Sequence, residues 1–306
     1  MEEKNRTQNT KEEKIYTESI VESKREMVLT PKNDIIFQSL FSKGHENITK
    51  ALISSIIKTE ITEIYMDTST HLTRKYMDSK LGVLDLRVKL QDGIQCNIEV
   101  QLKDNGDTED RFVWYTSSQF VSQLKKSDRY KELKKTIGIV ILNYELPKLK
   151  DIEEGCTNWK WIETKYHQKI LTDKMEIYII ELPKIIHKSN LKLEDSLTQW
   201  MLFLDNPNSE EVKKIMEENK EIKEAVETFD DITSDEELRR IAELRQKAIW
   251  DENNMIATAE ERGEKKGREK GRQEEKKKIA KKLIEKGMLI EQVEEITGLT
   301  KEEIEN

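Results

Sequence analysis

Residues Leu81 to Gln101 read LGVLDLRVKLQDGIQCNIEVQ, two alternating segments about a QDG turn. Leu84, Leu86, Val88 and Leu90 take every second place before the turn, and Ile94, Cys96, Ile98 and Val100 every second place after it. That period of two predicts a β-hairpin with one apolar face. A three-residue loop of Gln91, Asp92 and Gly93, with glycine last where a left-handed backbone is wanted, pairs Leu90 with Ile94. Counting outward sets Leu84 against Val100, Leu86 against Ile98 and Val88 against Cys96, and a slip of one residue would turn every apolar side chain to the wrong face.

The same register sets Asp85 opposite Glu99 on the other face, side chains roughly 5 Å apart, with Gln101 following Glu99 and Arg87 meeting Asn97. Two facing carboxylates repel unless something cationic lies between them. On one reading this is a solvated hairpin face, its acids offset by Arg87 and Lys89. On the other, Asp85 and Glu99 share a divalent cation with the Val100 carbonyl as a third ligand, an all-oxygen set of the kind Mg²⁺ or Mn²⁺ takes.

Outward from the hairpin, Thr30 is positioned to cap a helix that begins at Pro31, buries Ile35, Ile36, Phe37, Leu40 and Phe41, and ends at Gly44. Asp34 lies early in it, where an acid also suits the helix dipole. A second helix over 46–58 and a short strand from Ile61, ITEIYM, precede the hairpin. After it, KDNGDTED is a polar loop, and a helix over 109–125 is expected to turn Phe112, Val113, Phe120, Val121 and Leu124 to the core. Arg111, Tyr115, Ser118 and Ser122 fall on its other face, as a solvated stripe or as contacts to phosphate.

TIGIVILNY, 136–144, is an apolar run of strand length and composition, expected as a buried central strand reached by a helical crossover. MEIYIIEL, 175–182, is a further strand. CTNWKW is expected in the loop between them, with WIETKY as another strand. From Asn190 the pattern is helical, and GEKKGREKGRQEEKKKIAKK is a separate charged helix with glycines at 263, 267 and 271. The C-terminal KLIEKGMLIEQVEEITGLTKEEIEN reads as two short helices, Gly298 ending one and Thr300 capping the next. Its likeness to a helix-turn-helix is set aside because KEEIEN is short and acidic, which favours a packing or self-association module and, through it, a homo-oligomer.

The 306 residues carry 37% charged side chains and a mean hydropathy of −0.78, so much of the chain is exposed helix or tail. A net charge of −8 argues against a protein that coats nucleic acid by total charge, though not against a local basic groove. Two cysteines and four scattered histidines supply neither a disulfide framework nor a zinc pattern, which predicts a reducing, cytoplasmic setting. No segment is apolar and long enough for a signal or a membrane span. The expected organisation is a charged tail over 1–29, a domain over 30–185, a helical extension over 186–250, and a charged helix with a short helical module over 251–306.

TPKNDIIFQSLF, GVLDLRV, NIEVQ, RFVWYTSSQF, DRYKEL before TIGIVIL, and the glycine-punctuated charged tail together resemble the Rpn family of recombination-promoting nucleases and transposases, within the PD-(D/E)XK superfamily. The likeness runs over about 30–183. It implies an α/β fold, a restriction-endonuclease-like mixed β-sheet flanked by helices and followed by a helical C-terminal region. By position, Asp85 resembles the core metal-binding aspartate, Glu99 the second acid, and Gln101 stands in the superfamily's lysine place. Asp34 resembles an N-terminal acid that could serve as accessory ligand. Arg111 and Tyr115 match the helix after the hairpin as contacts to phosphate or as groups that orient the acids. The implied activity is Mg²⁺- or Mn²⁺-dependent hydrolysis of DNA phosphodiesters with little sequence preference. Gln101 would orient the attacking water and Lys103 would be a neighbour able to take its proton. The rival readings are a catalytically weak DNA-binding recombination accessory and a helical interaction protein that retains the nuclease fold.

Overall fold

The computed structural model describes residues 29–66 and 86–305. The expected N-terminal tail, and Asp85 with the start of the hairpin, lie outside the described residues. Among the described residues six strands form one mixed sheet: β1 (Ile64–Met66), β2 (Leu86–Leu90), β3 (Gln95–Gln101), β4 (Thr136–Leu142), β5 (Cys156–Ile162) and β6 (Ile170–Glu181), in the order β1-β2-β3-β4-β6-β5. The pairs β1–β2, β2–β3 and β5–β6 are antiparallel, whereas β3–β4 and β4–β6 are parallel.

The β2–β3 register is the one the alternation demands, with Leu86 opposite Ile98, Arg87 opposite Asn97 and Val88 opposite Cys96. Leu90 N–H donates to the Ile94 carbonyl at 2.7 Å across the turn. Both Asp92 (φ 61°) and Gly93 (φ 75°) are left-handed there; aspartate tolerates that conformation better than most side chains. β4 is the central strand, buried at every residue and reached from β3 through α3 (Thr108–Val121). A parallel neighbour requires such a crossover.

Alternation sorts the sheet into two faces. Cys96, Ile98, Ile137, Ile139, Ile141, Tyr178 and Ile180 join the main core with α1 (Asp34–Leu40) and α2 (Glu46–Ile57). Following β6 and a short α4 (Leu182–Ile186), helices α5 (Ser196–Asp205), α6 (Glu210–Glu218) and α7 (Lys220–Ser234) fill the same core with Trp200, Phe203, Val212, Ile222 and Phe229. On the other face a smaller core of Phe112, Val140, Leu142, Leu146, Leu149 and Ile179 lies under α3.

Several local expectations are corrected. Asn33, not Thr30, caps α1, because its side-chain oxygen accepts from the N–H groups of both Ile35 and Ile36, and Pro31 sits in a turn before the helix. The strand expected from Ile61 begins at Ile64. CTNWKW is strand rather than loop. β5 is an edge strand whose Trp159, Trp161 and Ile162 are exposed, so it shows no one-faced alternation, and β6 begins at Ile170, five residues before the expected run. α3 buries Thr108, Phe112, Thr116 and Gln119 and exposes Val113 and Val121. Its inner side meets a polar strip of β3, so polar residues face in. The helix also crosses close to Gly138, where a Cβ would stand 2.3 Å from Thr116 Oγ1.

Residues through Leu244 form one compact unit and those from Arg245 another. The run expected as two helices is one, α8 (Glu236–Glu285), with Gly263, Gly267 and Gly271 inside it. In the second unit α8 is followed by α9 (Ile290–Thr297) and α10 (Lys301–Glu305), about a small core of Ala280, Val293 and Leu299. Gly298 (φ 65°) closes α9, and Thr300 and Glu303 exchange hydrogen bonds at the start of α10, as the spacing predicts. No helix among the described residues is long and apolar enough to cross a membrane.

Candidate active site

β3 turns Asn97, Glu99 and Gln101 to the face covered by α3, and all three are buried. Glu99 is 2% exposed, an ionisable side chain on a sheet face that also carries Val140, Leu142 and Ile179 and that Phe112 of α3 covers. A carboxylate is not left in such a place without a partner. Arg111, one turn into α3, brings Nη2 to 3.3 Å from Glu99 Oε1. Its guanidinium also stands 5.9 Å from the centre of the Tyr115 ring, which is edge-on to Trp114. Arg111 Nε is buried with no hydrogen-bond partner among the described residues, and the same holds for Asn97 Oδ1 and Gln101 Nε2. Orphaned donors and acceptors on both sides of a buried acid mark a place built to receive a polar group.

The loop from β3 to α3 adds a second set of groups. Asp104 Oδ1 accepts from Gly106 N–H at 2.8 Å, a local turn that closes the loop before α3, and lies 2.9 Å from the Thr108 hydroxyl. Thr108 Oγ1 lies 2.8 Å from the Tyr144 hydroxyl, which is 2.9 Å from the Gln101 carboxamide. Burial pushes the Tyr144 phenol up to about 12, so it is protonated at neutral pH.

The other expected site residues are distributed as follows. The Gln101 carbonyl accepts from Asn143 N–H on the β4 side, so alternation turns the Val100 carbonyl toward the β2 side. The Val100 side chain packs in the main core. Asp34 sits in the first turn of α1, its Oδ1 accepting from Ile35 N–H. Two residues earlier, Lys32 Nζ reaches Asn143 Oδ1 at 2.9 Å, so the start of α1 lies at the sheet end where β3 and β4 finish. Lys103 is exposed just past β3. The structure therefore brings Glu99, Gln101 and Arg111 together, with Tyr115 beside Arg111. Among the described residues no three His, Cys, Asp or Glu side chains cluster as a metal site.

A family model described as PD-(D/E)XK nuclease family transposase matches residues 31–259. The chain belongs to the PD-(D/E)XK nuclease family transposases. A second model, the C-terminal helix-turn-helix domain of the Rpn/YhgA-like nuclease family, matches residues 273–306. That restores the helix-turn-helix likeness set aside above: the short, acidic α10 drew attention from the Gly298 turn, the more telling signal. No curated protein and no solved structure matches the chain.

Sequence reasoning missed Asp104, Thr108 and Tyr144. The first two lie in what reads as an ordinary polar loop and helix start, and Tyr144 follows β4, far away in sequence. Gln101 in a lysine's place is the one signal that prompts a search for what positions it.

Proposed function

We propose that the chain is a divalent-metal-dependent endonuclease that hydrolyses DNA phosphodiester bonds with little sequence preference. The observation that carries this reading is the buried Glu99 carboxylate on the polar strip of β3, flanked by two buried carboxamides and faced by Arg111.

The residues suit a hard cation. The donors of the strip are oxygens, and one of them, Asn97 Oδ1, lacks a partner among the described residues. Asp85 as the core aspartate, Glu99 as the second acid and the Val100 carbonyl would hold Mg²⁺ or Mn²⁺, with Asp34 as an accessory ligand. When bound, the cation supplies polarisation of the scissile phosphate and a lowered pKa of a coordinated water.

Each of the chain's own groups then has a definable part. Arg111 pairs with Glu99 and orients it, and its Nε, which has no partner among the described residues, suits a phosphate oxygen. Gln101 cannot accept a proton at neutral pH, so it acts as a hydrogen-bonding guide for water and not as a general base. Lys103, exposed at the end of β3, and Tyr115 are suited to phosphate contacts along the approach. In the helix-turn-helix domain the last turns of α8 carry Lys276, Lys277, Lys278, Lys281 and Lys282. We assign the domain's DNA contact to these lysines meeting phosphate and not to the acidic α10. Free cysteines, one of them fully buried, suit the cytoplasm.

The test is nicking or linearisation of supercoiled plasmid with Mg²⁺, Mn²⁺, Ca²⁺ or EDTA. Cleavage in Mg²⁺ or Mn²⁺, and none in EDTA, is the expected result. Retarded but uncut plasmid in every metal would replace this reading with a DNA-binding accessory that keeps the nuclease fold.

A further inference from the structure

The contacts around Gln101 contain a hydrogen-counting problem. Asp104, Thr108, Tyr144 and Gln101 are linked by three short contacts in a row, of 2.9, 2.8 and 2.9 Å. The carboxylate of Asp104 brings no hydrogen; Oδ1 already accepts from Gly106 N–H. Each hydroxyl brings one. Thr108 must spend its hydrogen on Asp104, so the Thr108–Tyr144 contact takes the hydrogen of Tyr144. Nothing is then left on Tyr144 for Gln101, and the third contact forms only if Gln101 is the donor.

A carboxamide's oxygen and nitrogen have the same shape, and their partners decide which is which. With the oxygen toward Tyr144, one of the three contacts sets two lone pairs against each other, and the Gln101 nitrogen is buried with two hydrogens and no acceptor among the described residues. With the nitrogen toward Tyr144, every contact has one donor and one acceptor. Oε1 then takes the other buried position, on the same face of β3 as Glu99.

We propose that Asp104, Thr108 and Tyr144 form a one-way hydrogen-bond relay that holds the Gln101 carboxamide with Oε1 toward the site beside Glu99, where it accepts a hydrogen from the attacking water. The role given to the oxygen rests on the nuclease reading; the orientation of the amide does not. The three relay members are positioning residues, and none of them meets the phosphate. The arrangement also gives the strip the opposite polarity from a lysine at this place: a lysine offers donors, while Gln101 offers an acceptor, which can aim a neutral water's lone pair but cannot stabilise a free hydroxide.

Two measurements on the full-length chain decide this. A neutron structure is expected to show both deuterons on the Gln101 atom that faces Tyr144 Oη; deuterons on the opposite atom would overturn the relay. In plasmid cleavage, Tyr144→Phe and Thr108→Val are each expected to lower kcat about tenfold with KM for DNA unchanged, because the water is aimed less well while binding is untouched. Thr108→Ser, which keeps the hydroxyl, is expected to restore most of the rate. Wild-type kcat in Tyr144→Phe, or a Thr108→Ser rate no higher than that of Thr108→Val, would overturn the relay while leaving the nuclease reading in place. A wild type that cuts nothing would end the role given to the oxygen together with that reading, and the neutron map alone would then decide the amide.

Discussion

At the scale of single residues, buried acids lie in two settings. Glu99 lies beside Arg111 at 3.3 Å and among polar atoms that lack partners among the described residues, whereas Glu176 on β6 meets Lys135 at 2.8 Å, Lys160 at 3.1 Å and the Tyr178 hydroxyl at 3.2 Å. Burial pushes the Glu176 carboxyl up, but the hydrogen bonds and charges of the two lysines outweigh it and hold the group below its usual 4.5. A lowered folded value means that the stabilisation is complete above the unfolded value and is lost as pH falls through the folded one. Glu176→Gln is therefore expected to lose about 1–2 kcal/mol at pH 7. The gap between the two proteins in urea titrations should narrow as pH falls below the usual 4.5 and go on narrowing through the lower folded value, and a gap that does not change with acidification would contradict the assignment. The contrast was only half legible in the sequence. Glu99 announced itself by facing Asp85 in a hairpin of readable register, but Glu176 sits in an apolar run whose neighbour across β4 is fixed by parallel pairing, which no local pattern encodes.

At the scale of elements, α3 shows where periodicity fails. Its apolar residues suggested an inner face containing Val113 and Val121, yet the helix lies over a polar strip and turns Thr116 and Gln119 inward. The hairpin was readable because a short turn and one apolar face fix its register; a crossover helix over a functional face has no such constraint. The close approach of Thr116 to Gly138 is the lock. Gly138→Ala is expected to destabilise by about 1–3 kcal/mol, and Thr116→Ala in the same chain should recover most of that loss, since the clash is with Thr116 Oγ1. Equal losses with and without Thr116→Ala, read from thermal unfolding, would show that α3 does not rest on this contact. β5 escaped detection for a related reason: an edge strand with tryptophans in solvent has neither alternation nor a buried run.

At the scale of the whole molecule, the mixed sheet with flanking helices was visible in the order of apolar runs, whereas the place of the later helices was not. The SLTQWMLFL segment of α5 has a strongly apolar face and α6 and α7 read as polar with narrow apolar stripes, and these faces complete the core behind β3 and β4. Asn33, the cap of α1, donates to the carbonyl of Ala242 at 3.3 Å, so even the beginning of α8 is tied to α1. A chain ending at 185 is expected to be insoluble or molten. One ending at 259, where the family match stops, should unfold cooperatively and keep cleavage while binding DNA more weakly and with a shallower salt dependence. Cooperative unfolding of the 185-residue fragment would show that the helices are an appendage.

The central claim is that the Glu99 carboxylate makes this chain a metal-dependent nuclease. The most direct measurement is plasmid cleavage in Mn²⁺ by Glu99→Gln beside the wild type, each first shown to be folded by its thermal transition. The expected result is cutting by the wild type and a loss of at least about a hundredfold in the variant, the scale on which removal of a charged catalytic group is felt. Equal cutting by both would contradict the claim and return the polar strip of β3 to a purely structural role.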